Sequence, residues 1–180
     1  MIKYAKVINQ ETGLCEVGIG TNAEFYKSIG MIELDVEQSD IDGNWYLKEL
    51  CPHKSDEQKL QEAKDAKYKE ANSKANEFLQ SGEALFEFEP NKHIEATDGN
   101  IAKMNAYLTG LQAGSFEEVV WVSKEDEALA LNAEDVATIL LGLGQVQADV
   151  WSVQFLTYKD AIDEATTVEE VNAIEISYHN

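Results

Sequence analysis

The side chains with the most chemical potential in this sequence are those of His53, His93, His179, Cys15 and Cys51. Nucleophilic catalysis needs a serine or cysteine beside a histidine that a carboxylate orients. No nucleophile-elbow motif surrounds any serine, His179 is the penultimate residue, and His53 adjoins a proline in a predicted linker. The sequence identifies no catalytic residue, and we therefore predict that the protein is not an enzyme.

Two short motifs have some of the residues of a metal site. Cys51 and His53 pair a thiolate with an imidazole, but a structural zinc site needs four ligands and no second pair stands at finger spacing. Residues 40–44 (DIDGN) have the letters of a calcium loop, yet Trp45 and Cys51 occupy the positions that need glycine and glutamate. We predict no metal site, and we interpret residues 40–44 as a tight hairpin turn.

Phosphate-binding and carboxylate chemistry also lack their sequence patterns. Residues 18–20 (GIG) and 142–144 (GLG) are too short for a dinucleotide loop, and neither precedes the Lys-Ser/Thr of a P-loop. Paired acids at 117–118 and 169–170 are common in so acidic a chain, and nothing marks one of them as a buried acid or base. We therefore predict no cofactor.

The charge balance distinguishes between classes of partner. The chain carries 34 acidic residues and 14 basic ones, and every basic residue is lysine. Arginine supplies the planar fork that binds phosphate and guanine, so its absence and the net charge of −20 argue against binding to nucleic acid or anionic lipid. Residues 83–180 alone carry 19 acids and four lysines. This half should prefer a basic or cation-screened partner, although solubility alone explains the same composition.

Residues 1–52 have the pattern of a small α+β module. The predicted order is strand, strand, helix, strand, strand, over residues 2–8, 14–19, 22–29, 31–36 and 45–50. Thr21 or Asn22 is the expected helix cap, and Gly30 is expected to end the helix. The sequence thus predicts a ββαββ module.

A helical connector is predicted over residues 53–82. Ser55 and Gln58 form a capping box, and the helical pattern continues to Ser81 before Gly82. The apolar face is weak, which suits an exposed connector. The alternative is an oligomerising coiled coil, although lysines interrupt any heptad register that begins at Leu60.

Residues 83–180 are predicted to form an acidic C-terminal α+β domain. Strands are expected over residues 84–89, 93–96, 119–122 and 129–131, and helices over 97–113, 132–153 and 167–174. The second of these helices is the most apolar and is the predicted core helix. Gly142 and Gly144 inside it either permit close packing or mark a break.

Targeting signals and disulfide patterns are weak. No apolar run precedes the charged residues at the start, and no 18 apolar residues follow one another, so we expect neither secretion nor membrane association. Cys15 and Cys51 allow one optional bridge, which leaves their pairing open and is no basis for a disulfide scaffold. Synthesis in a reducing cytoplasm is expected.

Two parts of the chain resemble bacteriophage proteins. KYAKVIN (residues 3–9) through GTNAEFYKSIGM (residues 20–31) is similar to the N-terminal segment of small phage and prophage proteins of Gram-positive bacteria, which sit among tail genes. The portion from about residue 67 to 171, including HIEATDGNI (residues 93–101), Trp121 and VW (residues 150–151), resembles an uncharacterised C-terminal domain of tail-fibre and tail-assembly proteins. That family has no established biochemical activity, so the resemblance transfers no site residues.

The resemblance implies a non-catalytic tail protein that acts by protein–protein contact. It implies either a tail-fibre-associated structural component or a tail assembly chaperone, with a phage tail or tail-fibre protein as the partner and homo-oligomerisation left open. The expected location is the host cytoplasm during assembly or the virion tail. The alternative is an acidic phage-encoded inhibitor of a host defence protein, of the DNA-mimic type.

Aromatic side chains near turns are the best candidates for partner contact, because aromatic residues dominate the binding energy of protein interfaces. Trp45, Tyr46 and Trp121 fit this description by their position in the sequence. Core packing is the alternative role for each of them.

Overall fold

A computed structural model describes all 180 residues, which form two compact units, Met1–Lys59 and Leu60–Asn180. The fold class is α+β, as the sequence predicts. The boundary between the units falls inside a long helix, close to its N-terminus. The predicted division at residues 52 and 82, with a separate connector between, stays a prediction.

The first unit contains the predicted order of four strands and a short helix. Its elements are β1 (Ile2–Asn9), β2 (Leu14–Val17), α1 (Ala23–Ser28), β3 (Ile32–Gln38) and β4 (Trp45–Leu47). All pairings are antiparallel, and the order β1-β2-β4-β3 closes into a small barrel because β3 also pairs with β1. Local patterns predicted the strands but not this closure, which depends on pairing between distant residues.

The barrel encloses a small core. Ala5, Cys15 and Val36 are buried, and half-buried side chains such as Trp45 pack around them. A Lys48–Leu50 3₁₀ turn replaces the second half of the strand predicted over residues 45–50. The predicted turn at residues 40–44 is confirmed, with Gly43 at a φ of +74° that glycine adopts without strain.

The second unit consists of packed helices and two separate β-hairpins. Its elements are α2 (Asp56–Gln80, whose first turn belongs to the first unit), β5 (Leu85–Glu89), β6 (Lys92–Glu95), α3 (Asp98–Gln112), β7 (Val119–Val122), β8 (Ala128–Leu131), α4 (Ala133–Asp149), α5 (Phe155–Glu164) and α6 (Val168–Ala173). β5 pairs with β6 and β7 pairs with β8, in both cases antiparallel. Every strand and helix predicted for residues 83–180 is present, with shifts of a few residues at the ends.

The long helix α2 begins at the predicted capping box. The Ser55 amide donates to the Gln58 side chain, and the Gln58 amide donates to the Ser55 hydroxyl. Its last turns are buried through Ala71, Ala75, Phe78 and Leu79. The sequence pattern underestimated this contact because alanines add little to an apolar stripe, yet they let another element pack closely.

The predicted core helix is confirmed. Val136, Ile139, Leu143 and Val150 are fully or almost fully buried. The helix passes through both glycines without a break and continues through a π-helical segment, Val150–Gln154, into α5. The sequence predicted a helix as far as residue 153 but neither its π-helical geometry nor α5. Such a segment inserts an extra residue into a turn and so rotates the buried face of the helix that follows.

By length and composition alone, the continuous helical segment Ala133–Glu164 would be able to cross a membrane, with a mean hydropathy of 1.3 over an 18-residue window. Some core helices of folded proteins pass the same test. Here the side chains of Ile139, Leu143 and Val150 belong to the core of this unit, and 22% of that window is buried. That the protein does not associate with membranes stays a prediction.

Candidate functional site

A groove of about 480 Å³ lies in the second unit between its two hairpins. One wall is β6, the other wall is β7 and the residues after it, and α3 contributes side chains between them. Of the three predicted contact residues, Trp121 lines this groove. The groove is therefore the candidate functional site.

Hydrogen bonds join the two walls at one end of the groove. The Lys124 amide donates to the His93 carbonyl at 2.9 Å. The His93 amide donates to the Glu125 carboxylate at 2.9 Å, and His93 Nδ1 lies 2.8 Å from the other carboxylate oxygen. These contacts fix the β6 end of one hairpin to the turn of the other.

The Glu125 carboxylate is held in its charged form by this arrangement. The hydrogen bond from the His93 amide is the largest cause, and with the His93 side chain and Ser123 it lowers the pKa of Glu125 from 4.5 to about 2. The pair was not predictable from the sequence because 32 residues separate its members.

A histidine oriented by a carboxylate is also the acid–base part of a catalytic triad. The groove contains one serine, Ser123, which is buried, and its hydroxyl oxygen accepts hydrogen bonds from the amides of Glu125 and Glu127. Ser123 therefore stabilises the hairpin turn. The absence of enzymatic activity stays a prediction.

The Trp121 ring forms the aromatic part of the groove. It packs edge-on against Tyr107, with ring centroids 6.2 Å apart, and it contacts the hydrophobic core on its other side. The Lys103 ammonium lies 5.9 Å from the centre of the Trp121 ring and forms no ion pair. Trp121 thus packs against the core and also lines a surface groove. Its role in partner contact stays a prediction.

The other two predicted contact residues lie in the first unit. Trp45 is half-buried against the barrel core, and the Lys3 ammonium lies 4.3 Å from the centre of its ring. The Tyr46 hydroxyl donates to Asp42 at 2.7 Å, which raises the pKa of Tyr46 and lowers the pKa of Asp42 to about 2. Their role in partner contact stays a prediction.

The residues considered for metal binding and for a disulfide also lie in the first unit. Cys15 and Cys51 are both free thiols, and burial raises the pKa of each. The imidazole nitrogens of His53 lie 3.8 Å from a Glu37 carboxylate oxygen and 3.6 Å from an Asp40 carboxylate oxygen. No group of three His, Cys, Asp or Glu side chains is arranged to hold a metal ion.

Comparison with known proteins adds no relative. No protein-family model matches the chain, and neither a curated protein nor a solved structure shows significant similarity to it.

Proposed function

We propose that this chain is a non-catalytic protein of a bacteriophage tail apparatus that works by contact with a tail or tail-fibre protein. Its role is that of a fibre-associated structural component or of an assembly chaperone. In the first role it stays in the virion tail, and in the second it acts in the host cytoplasm.

The observation that carries the proposal is the position of the groove within the segment that resembles tail-fibre and tail-assembly proteins. Residues 93–101, which are part of that resemblance, supply one wall of the groove through His93 and Glu95, and they supply Asn100 from α3. Trp121 belongs to the resemblance and to the groove as well. A partly polar groove with an aromatic side chain is typical of a surface that binds another protein.

The DNA-mimic alternative needs carboxylates that are free and arrayed on one face. The longest run of acids in the sequence, residues 125–127, does not provide such an array. Glu125 binds His93, and Glu127 lies 3.7 Å from the Lys92 ammonium. Local pairing of this kind supports a folded turn in preference to a phosphate-like surface.

Mass spectrometry of purified phage particles tests the proposal. Detection of the chain at a fixed ratio to the fibre protein would support a structural component. Its absence from particles, together with a higher soluble yield of the co-expressed fibre protein, would support a chaperone. Absence from particles with no effect on any tail protein would contradict both roles.

A further inference from the structure

We propose that the open edge of β7 binds an extended segment of another protein in which aliphatic side chains alternate with carboxylates. The proposal rests on the proposed protein-binding function and specifies how the partner is held. Its basis is the direction of the backbone hydrogen-bonding groups on the two sides of the groove.

The edge of β7 that faces away from β8 has unpaired backbone groups. The Ser123 amide donates to Glu127 within the hairpin, whereas the Lys124 amide points to the opposite side and donates to His93. Backbone groups alternate along a strand, so the amides and carbonyls of Val120 and Val122 point to the same side as the Lys124 amide. β7 pairs with no strand other than β8, which leaves these groups without a partner.

The facing strand β6 also directs a backbone donor into the groove. The Ala96 amide donates to Ala84, and the Leu85 amide donates to the side chain of Asn180 on the outer side of β5. Leu85 is paired with Glu95, so the same alternation turns the Glu95 amide away from β5 and towards the groove. On this side the Glu95 amide is the one unpaired group, because the Glu95 carbonyl accepts from the Asn100 side chain and the outward backbone groups of His93 are bonded to Lys124 and Glu125. The open edge that fits a further strand is therefore that of β7.

The side chains on the β7 edge lack the features that usually protect such an edge. Val120 and Val122 are 61% and 58% exposed. Folded proteins commonly shield an open strand with lysine, proline or a bulge, and none of these occurs within β7. Exposed aliphatic side chains beside unpaired backbone groups are a typical binding edge for an extended peptide.

The lysines of the groove are the basis for the carboxylates in the proposed segment. Only four lysines occur in residues 83–180, and two of them, Lys103 and Lys124, line this groove. The Lys124 ammonium donates to the Gly82 carbonyl, whereas the Lys103 ammonium forms no ion pair. Lys103 is therefore available for a carboxylate of the partner. The groove also has two acidic residues. The Glu95 carboxylate lies beside Gly82, and Asp126 lies in the turn between β7 and β8.

These observations combine into a pattern for the bound segment. A strand beside β7 places alternate side chains on the face of Val120 and Val122 and on the face of Trp121 and Lys103. Aliphatic side chains suit the first face and carboxylates suit the second. A second copy of this chain would bring another net charge of −20 to an acidic surface, which favours a different protein. The carboxylates of its bound segment meet Lys103, and the surface around that segment is basic, as the 19 acids and four lysines of residues 83–180 require.

The test is a titration of the full-length, ¹⁵N-labelled protein with three acetylated and amidated peptides of about eight residues. The first alternates valine with glutamate, the second alternates valine with lysine, and the third is the first with a central proline. We expect the first peptide to shift the amide signals of Val120, Val122 and Lys103. The proline peptide should bind about fivefold more weakly because it loses backbone hydrogen bonds. The lysine peptide should also bind more weakly than the first.

Variants separate the edge from the rest of the surface. Val122→Pro removes one outward amide and no hydrogen bond to β8, so it should weaken the first peptide about fivefold. Lys103→Gln should weaken it about threefold, whereas Lys69→Gln on α2, the matched control, should not change the affinity. Should Val122→Pro fail to fold, Lys103→Gln and the proline peptide test the same site.

Three results would overturn the inference. They are no shift at Val120 and Val122 with any peptide, equal affinity for all three peptides, and protection of these two amides that rises with protein concentration in the absence of peptide. The last result would show that a second copy covers the edge. None of them bears on detection of the chain in phage particles, so the proposed function can fail or stand separately.

Discussion

The ring of Phe86 on β5 lies directly against Gly142 of α4, so that a Cβ atom on this glycine would be 2.2 Å from the ring. Gly142 thus lets the hairpin approach the core helix. At Gly144, two residues further along, no atom other than those of the adjacent residues and the backbone of its own helix lies within 4 Å of the position of a Cβ. The two glycines of one motif therefore have different structural roles.

Alanine substitutions should separate these two roles. Gly142→Ala should destabilise the protein by about 1–3 kcal/mol because the new methyl group overlaps the ring of Phe86. Gly144→Ala should stabilise it by up to about 1 kcal/mol because alanine favours the helix and meets no neighbour. Urea denaturation of both variants measures the difference. Equal effects of the two substitutions would contradict the packing of Phe86 on α4.

The hydrogen bonds from His93 to Glu125 predict a dependence of stability on pH. The pKa of Glu125 is lowered in the folded protein, from 4.5 to about 2. The pair therefore contributes its full stability above pH 4.5 and loses it as the pH falls towards 2. The stability difference between the wild type and Glu125→Gln should be greatest above pH 4.5 and should shrink below it.

Denaturant unfolding over a pH series measures this difference. Asp126→Asn is the matched control, since it removes the same charge from the adjacent residue, and His93 donates to Glu125 and not to Asp126. If the stability difference between the wild type and Glu125→Gln is constant with pH, the hydrogen bonds from His93 do not lower the pKa of Glu125.

The cap of the core helix predicts a further stability change. The Asn132 side chain accepts hydrogen bonds from the amides of Glu134 and Asp135, and the Asp135 carboxylate accepts one from the Asn132 amide. Asn132→Ala should cost about 1 kcal/mol of unfolding free energy because both acceptor bonds are lost. Asn132→Asp keeps the acceptor and should stay close to the wild type in thermal unfolding. Similar losses in both variants would argue against the cap.

Trp45 gives a test that distinguishes packing from partner contact in the first unit. The barrel core has three buried residues, and Trp45 is the largest of the five half-buried side chains that pack against them. We expect Trp45→Ala to lower the unfolding free energy by about 2 kcal/mol. Tyr46→Phe, which loses only the hydroxyl bond to Asp42, should have a smaller effect. An unchanged melting temperature with weaker partner capture would make Trp45 a contact residue.

Features that depend on neighbouring residues were predictable from the sequence. The capping box at Ser55, the turn at Gly43 and the apolar core helix predicted over residues 132–153 each lie within one local pattern. For these features the chemistry of the cap, turn or helix face determines the conformation, and the structure agrees.

Features that depend on distant pairing were not predictable. Closure of the barrel requires β3 to return to β1, and the groove requires the turn at Glu125 to reach His93. No local pattern encodes either contact. Trp121 could be named as a candidate contact residue because aromatic side chains are common at interfaces. Lys103 and the open edge of β7 become candidates only when the hairpins are placed side by side.

The most direct test of the account replaces Val122 with a photo-crosslinking amino acid in the full chain, produced in cells that assemble the phage. The predicted result is one dominant covalent adduct, identified by mass spectrometry as a tail or tail-fibre protein. The adduct should be absent when the same amino acid replaces exposed Ile19 in the first unit. No adduct at position 122, or equal labelling at both positions, would contradict the claim that this edge holds the partner.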